Sequence, residues 1–286
     1  MSTTVPGIVR FVGAGPGDPA LLTVRADALL RAASVILHDD LVAPEILSLA
    51  PSEAVVLNVG KRCGAKRISQ VEINALMIGF ARRGFDVIRL KGGDPAVFGR
   101  LAEEIDSLSA AGISFEIIPG VSAGMAAAAS LGNSLTDRRL SSRVVFTSAH
   151  HAQTAGAGES SDWQGLARED TTLVIYMPGR NLSGLQQELL AAGLAPDTPA
   201  VIVSRAATPA QREHHATLAT LDSAPPLEAP SILLVGRTVA PKLASQSVDS
   251  EPTASSDWEN FLELLASELS SSGAASFELS ERTIKR

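Results

Sequence analysis

The stretch Arg89-Leu90-Lys91-Gly92-Gly93-Asp94-Pro95-Ala96-Val97-Phe98-Gly99-Arg100 carries the strongest indication of the fold. An apolar run over 87–90 predicts a short buried strand, and it stops at two glycines that let a ligand approach the backbone closely. The acid and proline that follow predict a turn, and a helical pattern covers 101–110. This arrangement is typical of a ligand crevice at the carboxyl end of an α/β sheet, although an ordinary strand-to-helix loop has the same pattern.

The composition bounds the class of protein. Hydrophobic residues make up 45% of the 286 residues and aromatic residues only 4%, which indicates a soluble protein with aliphatic cores; the length predicts two domains. No apolar run reaches the roughly 18–20 residues that cross a bilayer, and no secretory signal is visible. The one cysteine, Cys63, fits a reducing compartment. We therefore expect a cytoplasmic protein without a membrane partner.

The net charge of −7 is unevenly distributed along the chain. Residues 243–286 contain eight acidic and three basic side chains, so the rest of the chain is only mildly acidic. A mildly acidic chain gives no reason to expect a nucleic-acid partner.

Strands alternate with helices in the first part of the chain. Apolar runs predict further strands at 9–12, 34–37, 55–59 and 114–118, and each is followed by a turn that contains glycine or polar residues. This spacing indicates a largely parallel sheet with its loops at one edge. The glycine loop over 13–19 departs from the G-x-G-x-x-G dinucleotide pattern, because prolines interrupt it.

Two helices have clear start signals. A capping box over 69–72 opens a helix that ends at Gly84. The apolar residues of this helix share one face: Ile73, Leu76, Met77 and Phe80. Thr23 is the predicted cap of an earlier helix. Three of its residues are expected to face the core: Val24, Ala28 and Leu29.

A second α/β unit follows over 143–236. Its predicted strands lie at 144–147, 172–176, 200–203 and 232–235, with a helix at 181–192 and a Gly/Ser/Ala-rich loop at 152–162. Residues 244–256 have the composition of a linker. The tail beyond has one apolar helical face: Trp258, Phe261, Leu262, Leu265 and Leu269. We expect this face to dock on the rest of the chain or on a second subunit, and a partner-binding helix is the alternative. The predicted domains are 1–120, 121–243 and an acidic tail region, 244–286.

Several separate motifs occur in one order along the chain: Gly13-Ala14-Gly15-Pro16-Gly17-Asp18, Gly60-Lys61-Arg62, Gln70-Val71-Glu72-Ile73-Asn74, Arg89 through Arg100, Leu135-Thr136, Tyr176-Met177 and Gln211-Arg212. With these motifs the chain resembles the tetrapyrrole (precorrin) methyltransferases, and among them the enzymes that C-methylate uroporphyrinogen-III. The resemblance covers residues 10 to about 236. Any one of the motifs would be weak, but their combination is specific.

The resemblance implies a two-domain α/β fold, the tetrapyrrole methylase fold of class III S-adenosylmethionine-dependent methyltransferases, which is not a Rossmann fold and has its ligand cleft between the domains. It also implies a homodimer. The implied S-adenosylmethionine contacts are Pro16, Gly92, Gly93, Asp94, Val97, Ser122, Ala123, Met177 and Ala206. An acid/base pair is implied at Asp39 and Lys61, and substrate-side residues at Arg100, Glu103 and Arg138.

The implied chemistry suits these residue types. Uroporphyrinogen-III is a polycarboxylate with electron-rich pyrrole carbons, which can attack a sulfonium methyl group held in line at short distance. Arginine is favoured for pairing with its carboxylates. Methylation of a ring carbon requires removal of a pyrrole proton, and a carboxylate base such as Asp39 or Glu103 can accept it. The donor brings its own leaving group, so we expect no metal. The adjacent pairs 150–151 and 214–215 are histidines without metal-ligand spacing, and we interpret them as surface residues.

Simpler roles compete for some of these residues. Asp39 has the position of a cap after the second strand, and Glu103 can pair with Arg100 along its helix. Lys61 is a better candidate for a carboxylate anchor than for a proton donor, since an exposed lysine stays charged. Met177 has the alternative role of core packing.

The chain departs from the family pattern at several positions. Asp137 stands where the family has histidine, and Leu101 and Pro178 stand where it has glycine. Asp137 is expected to repel the substrate carboxylates or to form an ion pair with Arg138. Leu101 and Pro178 are expected to narrow the ligand cleft. The resemblance implies methylation at C2 and C7 to give precorrin-2, a precursor of sirohaem, cobalamin and haem d1. A methylase of a later precorrin and a non-catalytic S-adenosylmethionine-binding homologue stay open as alternatives.

Overall fold

Two five-stranded sheets follow each other in the computed structural model, which describes residues 5–60, 68–149, 163–179, 182–226 and 228–240. The strands of the first sheet are β1 (Val9–Gly13), β2 (Val35–His38), β3 (Val55–Asn58), β4 (Val87–Lys91) and β5 (Phe115–Ile118). Their order is β3-β2-β4-β1-β5, and all pairs are parallel. The predicted parallel sheet is confirmed, with its carboxyl-end loops on one edge.

Helices cover both faces of the first sheet. They are α1 (Val24–Arg31), α2 (Pro44–Leu47), α3 (Gln70–Arg82) and α4 (Leu101–Ala110). Buried residues of α3 and α4 pack with one face of the sheet, and those of α1 and α2 pack with the other. Both faces of the sheet are therefore covered, as is usual for parallel sheets.

Helix α3 begins at the predicted capping box. The Ser69 hydroxyl accepts the Glu72 N–H at 3.2 Å, and the Glu72 carboxylate accepts the Ser69 N–H at 2.7 Å. Ile73 and Met77 are buried, and the helix ends just before Gly84, whose φ is 88°. These local signals set where the helix begins and ends.

Helix α1 begins at its predicted cap but presents a different face to the core. Thr23 accepts the Ala26 N–H at 3.2 Å, and Ala26 and Leu30 are fully buried. The predicted core residue Val24 is 89% exposed, and Ala28 is also exposed. The prediction was wrong for Val24 and Ala28, because the buried stripe is centred on the small Ala26. The third predicted residue, Leu29, is half-buried and packs against the core, as predicted.

The second sheet contains β6 (Arg143–Ser148), β7 (Thr171–Tyr176), β8 (Pro199–Ser204), β9 (Arg212–Thr217) and β10 (Ser231–Val235). Its order is β6-β7-β10-β8-β9. Strands β6 and β7 are parallel, whereas β10 is antiparallel to both β7 and β8, and β9 is antiparallel to β8. The sheet is therefore mixed, and its helices are α5 (Ala123–Ser130), α6 (Trp163–Leu166) and α7 (Leu182–Ala191).

Strand β9 was not predicted, because it is a polar edge strand without an apolar run. It contains the second histidine pair: His215 is exposed, and His214 is half-buried. The first histidine pair, the predicted loop over 152–162 and the predicted tail helix lie outside the described residues. Within the described ranges, every helix is too short or too polar to span a bilayer.

Candidate functional site

A cleft of about 500 Å³ lies at the carboxyl ends of β1, β2 and β4. This volume is within the usual range for a small-molecule site. The loops after these strands form one wall, the first turn of α5 adds to it, and the end of β7 and the segment 228–232 form the other. The lining residues therefore come from both sheets or their connections. In an open α/β sheet this is the edge where ligands bind.

Backbone atoms of glycine-rich loops form part of the cleft. Gly15 and Gly93 exchange two hydrogen bonds, of 3.1 and 2.7 Å, and Gly93 has a φ of 68°. Below them, a β-carbon on Gly13 would come within 2.6 Å of the Gly120 Cα atom. Glycine is required here because three loops approach one another backbone to backbone, which leaves no space for a side chain.

Asp94 joins two of these loops. One of its carboxylate oxygens accepts the Ala96 N–H at 2.8 Å, and the other accepts the Gly120 N–H at 3.0 Å. The residue therefore fixes the turn after β4 and connects it to the loop after β5. Asp94 lines the cleft, so it contributes both shape and a negative charge to the site.

Aromatic side chains connect the two walls. The Tyr176 hydroxyl, at the end of β7, lies 2.6 Å from the Ser122 Oγ and accepts the Gly124 N–H at 3.0 Å. The Phe98 ring lies 4.8 Å from the Tyr176 ring, centroid to centroid. Phe98 and Met177 line the cleft with positive φ angles of 51° and 50°. Such angles are unfavourable for residues with a β-carbon, and they often occur at functional sites.

Four charged side chains form a network beneath one wall. Arg89 donates to Asp39 at 2.6 Å and to Glu104 at 2.9 Å, and Lys91 donates to the other Glu104 oxygen at 2.7 Å. Three of the four side chains are at most 3% exposed, and Asp39 is 30% exposed. Asp39 and Lys91 line the cleft.

The network shifts the pKa values of its two cations in opposite directions. Burial opposes the charge on Arg89, but the carboxylates of Asp39 and Glu104 outweigh it and raise the pKa of Arg89. Burial, together with the neighbouring guanidinium, lowers the pKa of Lys91 below its ordinary value despite its contact with Glu104.

The predicted site residues are only partly brought together. Those that line the cleft are Pro16, Asp39, Gly92, Gly93, Asp94, Val97, Ser122, Ala123 and Met177. Ala206 is buried in the hydrophobic cluster of the second sheet, against which the cleft-lining Val97 and Ala123 also pack, and it does not line the cleft. Lys61 lies outside the described residues. The alternative of core packing for Met177 does not hold, because the residue is 46% exposed.

The predicted substrate-side residues lie outside the cleft lining. Arg100 follows the cleft-lining Gly99 and is exposed; it donates to both oxygens of Glu103, at 2.7 and 2.6 Å. The helix pairing that competed for Glu103 is thus present. This pairing, through the hydrogen bond to Glu103 first, raises the pKa of Arg100. Arg138 is exposed and forms no ion pair with the described residues.

The departures from the family pattern have local explanations. Asp137 pairs with Arg139 at 2.6 Å rather than with Arg138, and the hydrogen bonds from Arg139 lower the pKa of Asp137 to about 2. Leu101 packs in the core formed by α3, α4 and the first sheet, and Pro178 is buried. Neither lines the cleft, so the predicted narrowing was wrong.

Some cleft residues were missed from the sequence. They are Gly15, Leu41, Lys91, Phe98, Gly99, Tyr176, Gly179 and the segment 228–232. A partial signal existed for the charged network, because Arg89 lies in the strand predicted over 87–90 and Lys91 follows directly after it. The structure extends β4 to Lys91, which places the two side chains on one face. Two buried cations require a carboxylate nearby. No signal existed for 228–232, which reaches the cleft only through the order of the second sheet.

The fold and the cleft define a two-domain α/β protein that binds a small molecule at the carboxyl ends of a parallel sheet without a dinucleotide-binding glycine pattern. A family model for tetrapyrrole (corrin/porphyrin) methylases matches residues 9–222. The chain belongs to this family, and the predicted fold is confirmed. No group of three or more His, Cys, Asp or Glu side chains that could hold a metal ion occurs in the part of the chain that the structure describes.

Individual relatives are similar over most of the chain. A uroporphyrinogen-III C-methyltransferase from Paracoccus denitrificans is 40% identical over 82% of both chains. A sirohaem synthase from Psychromonas ingrahamii is 39% identical over 88% of this chain, which spans only 53% of that relative. Among solved structures, uroporphyrin-III C-methyltransferase from Thermus thermophilus in complex with S-adenosylhomocysteine matches 82% of this chain and 99% of its own, with 38% identity and a TM-score of 0.71.

Proposed function

We propose that this protein is an enzyme that transfers methyl groups from S-adenosylmethionine to C2 and C7 of uroporphyrinogen-III and so forms precorrin-2. The observation that carries the proposal is that the expected donor contacts after β1 and β4, in the first turn of α5 and after β7 line one cleft with Asp39. The relatives support it, because the Paracoccus protein is named for this activity and the Thermus structure holds S-adenosylhomocysteine.

The cleft suits a nucleotide-like donor in two ways. The backbone of Gly92 and Gly93 permits close approach, and Asp94 beside them is a carboxylate that can accept hydrogen bonds from ribose hydroxyl groups. Apolar side chains of Val97, Phe98 and Met177 can cover the flat base. The donor supplies a methyl group on sulfonium sulfur, and the protein has to hold that methyl group in line with the accepting carbon.

The tetrapyrrole has to be held by cations and deprotonated by a base. Arg100 lies next to the cleft-lining Phe98 and Gly99, and a substrate carboxylate can replace Glu103 as its partner. Arg138 and Lys61 are the proposed further anchors. Asp39, at the carboxyl end of β2, is the proposed acceptor of the ring proton.

A second candidate function is methylation of a later precorrin. A cobalt precorrin-4 methyltransferase of known structure matches 82% of this chain and 96% of its own, with 30% identity and a TM-score of 0.73. The higher identity to the uroporphyrinogen-III enzymes favours the first proposal.

An anaerobic assay with methyl-labelled S-adenosylmethionine separates the candidates. The proposal expects label in the macrocycle when uroporphyrinogen-III is the acceptor. Label only with a later precorrin would support the second candidate. Calorimetric binding of S-adenosylhomocysteine without transfer to any tetrapyrrole would support a non-catalytic homologue.

We also propose that the enzyme is a cytoplasmic homodimer with domains at 1–120, 121–243 and 244–286. The single cysteine and the composition support the location, and the separate strand sets of the two sheets support the first division. Light scattering on the purified chain tests the dimer, because a monomeric mass at micromolar concentration would contradict it.

A further inference from the structure

The guanidinium of Arg89 is held by four groups that the sheet and helix α4 place around it. Its Nε donates to Glu104 at 2.9 Å, and one terminal nitrogen donates to Asp39 Oδ1 at 2.6 Å. The other terminal nitrogen donates to the carbonyl oxygens of Leu37 and Leu90, at 3.3 and 3.4 Å. Because a guanidinium is a planar fork, these contacts leave it one orientation.

Glu104 is fixed with similar completeness. Its side chain is fully buried, one oxygen accepts from Arg89, and the other accepts from Lys91 at 2.7 Å. Gln70 on α3 donates to the first oxygen at 3.2 Å. A buried carboxylate with several donors is immobile, since any movement would leave a charge without a partner.

Burial of these charges costs stability, and apolar side chains of similar size are often at least as stable in such positions. Of the four charged groups, Asp39 has the most exposed side chain, and it lies on the cleft wall. Its Oδ1 is held by Arg89, whereas its Oδ2 accepts no hydrogen bond from the described residues. The network thus holds one oxygen and leaves the other available to a ligand.

We infer that Arg89 is a positioning residue for Asp39, and that Glu104 holds Arg89 in the orientation this requires. The inference rests on the proposed function. In the step concerned, a pyrrole carbon attacks the methyl carbon of the sulfonium, the electron pair of the broken C–S bond stays on sulfur, and the ring proton passes to Asp39 Oδ2. Rotation of the carboxylate would move Oδ2 away from that proton, and Arg89 prevents this rotation.

A double-substitution cycle tests the inference. We expect Arg89→Met and Asp39→Asn each to slow single-turnover methylation about 100-fold, because small displacements of reacting groups have effects of this size. If Arg89 acts through Asp39, the double variant is as slow as Asp39→Asn alone, within about twofold. If the fold-reductions in rate of the two single variants multiply in the double variant, the inference is overturned, because Arg89 then acts independently of Asp39.

Two further variants control for folding. Arg89→Lys retains the positive charge but not the forked geometry of the guanidinium. We therefore expect it to bind S-adenosylhomocysteine within about twofold of wild type, but to show most of the loss in methylation rate that Arg89→Met shows. Full activity in this variant would also overturn the inference. Arg10→Met removes another strand arginine that pairs with two carboxylates, Asp86 and Glu116, and it should keep the wild-type rate.

The outcomes distinguish this inference from the proposed function. A wild-type protein that transfers no label to uroporphyrinogen-III overturns both. Wild-type activity with an equally fast Asp39→Asn variant removes the proposed role of Asp39, and the inference with it. The inference alone is overturned if the wild type is active, Asp39→Asn is slow, and the rate reductions of the single variants multiply in the double variant.

Discussion

The Tyr176 hydroxyl and the Ser122 Oγ lie 2.6 Å apart, and this hydrogen bond joins the end of β7 to the residue that precedes α5. Tyr176 is the only tyrosine in the chain, and its hydroxyl also accepts the Gly124 N–H. Both Tyr176 and Ser122 line the cleft. A single phenol therefore sets the distance between a strand of the second sheet and the first turn of a helix that lines the site.

Tyr176→Phe should lower the stability of the protein and its affinity for S-adenosylhomocysteine, although the aromatic ring is retained. The buried Ser122 hydroxyl and Gly124 N–H lose a partner, which costs about 1–3 kcal/mol of unfolding free energy. We expect binding of S-adenosylhomocysteine to weaken about tenfold in calorimetry. Ser122→Ala removes only one of the two contacts and should cost less; an equal or larger cost would contradict this explanation.

Gly13→Ala tests the close approach of the glycine loops. The new β-carbon would lie 2.6 Å from the Gly120 Cα, and such overpacking costs about 1–3 kcal/mol. Urea denaturation and titration with S-adenosylhomocysteine should show lower stability and weaker binding. Gly79 is the matched control, since nothing lies within 4 Å of a β-carbon there. Gly79→Ala should raise stability by about 0.5–1 kcal/mol, because it lies inside α3.

Arg100→Ala should reduce tetrapyrrole binding while the affinity for S-adenosylhomocysteine stays nearly intact. Loss of a charge-assisted pair with a substrate carboxylate costs about 1.5–3 kcal/mol, which corresponds to roughly 10- to 150-fold in KM for the tetrapyrrole. Arg31→Ala removes a similar exposed pair, with Asp27, and should change neither constant. Equal losses of donor and tetrapyrrole affinity in Arg100→Ala would show that the residue does not bind substrate selectively.

Glu104→Gln should destabilise the fold strongly. The substitution leaves Arg89 and Lys91 buried with less negative charge to neutralise them, which costs about 3–5 kcal/mol. The adjacent Glu103 is half-exposed, and Glu103→Gln should cost at most about 1 kcal/mol. Chemical denaturation of both variants measures the difference. Similar stabilities would mean that the buried network is not a structural requirement.

Asp137 should contribute to stability only above strongly acidic pH. Its folded-state pKa is about 2, below the ordinary 3.8, so its contribution is complete above pH 3.8 and disappears as the pH falls through 2. We expect a higher Tm for wild type than for Asp137→Asn at pH 5, and a difference that closes toward pH 2. A constant difference over this range would exclude the ion pair with Arg139 as its cause.

The parts of the fold that depend on local signals could be predicted from the sequence. The capping box of α3, the strand that ends before Gly92 and the cleft at the carboxyl ends of the first sheet are examples. The signals for these features lie within a few positions of one another along the chain, although the cleft itself also includes distant residues such as those of 228–232. The glycine-rich loop sequences, together with the family resemblance, therefore predicted most of the cleft's location.

The parts that depend on distant contacts could not be predicted. Strand β9 is stabilised by pairing with β8 rather than by its own polar sequence. The partner of Asp39 is Arg89, fifty positions along the chain, so the competing interpretation of Asp39 as a simple cap missed its ion pair. Contacts of this kind arise from strand order, which no short motif contains.

Strand β10 lies in the middle of the second sheet, although it follows every other described strand along the chain. A nascent polypeptide leaving the ribosome can complete the first sheet once Ile118 has emerged. Strands β7 and β8, by contrast, expose open edges until Ser231–Val235 arrives between them. The cleft wall over 228–232 is synthesised together with the start of β10, so the chain becomes able to bind its ligand only late in biosynthesis. A chain released before β10 is made exposes two unpaired strand edges that can pair with other chains.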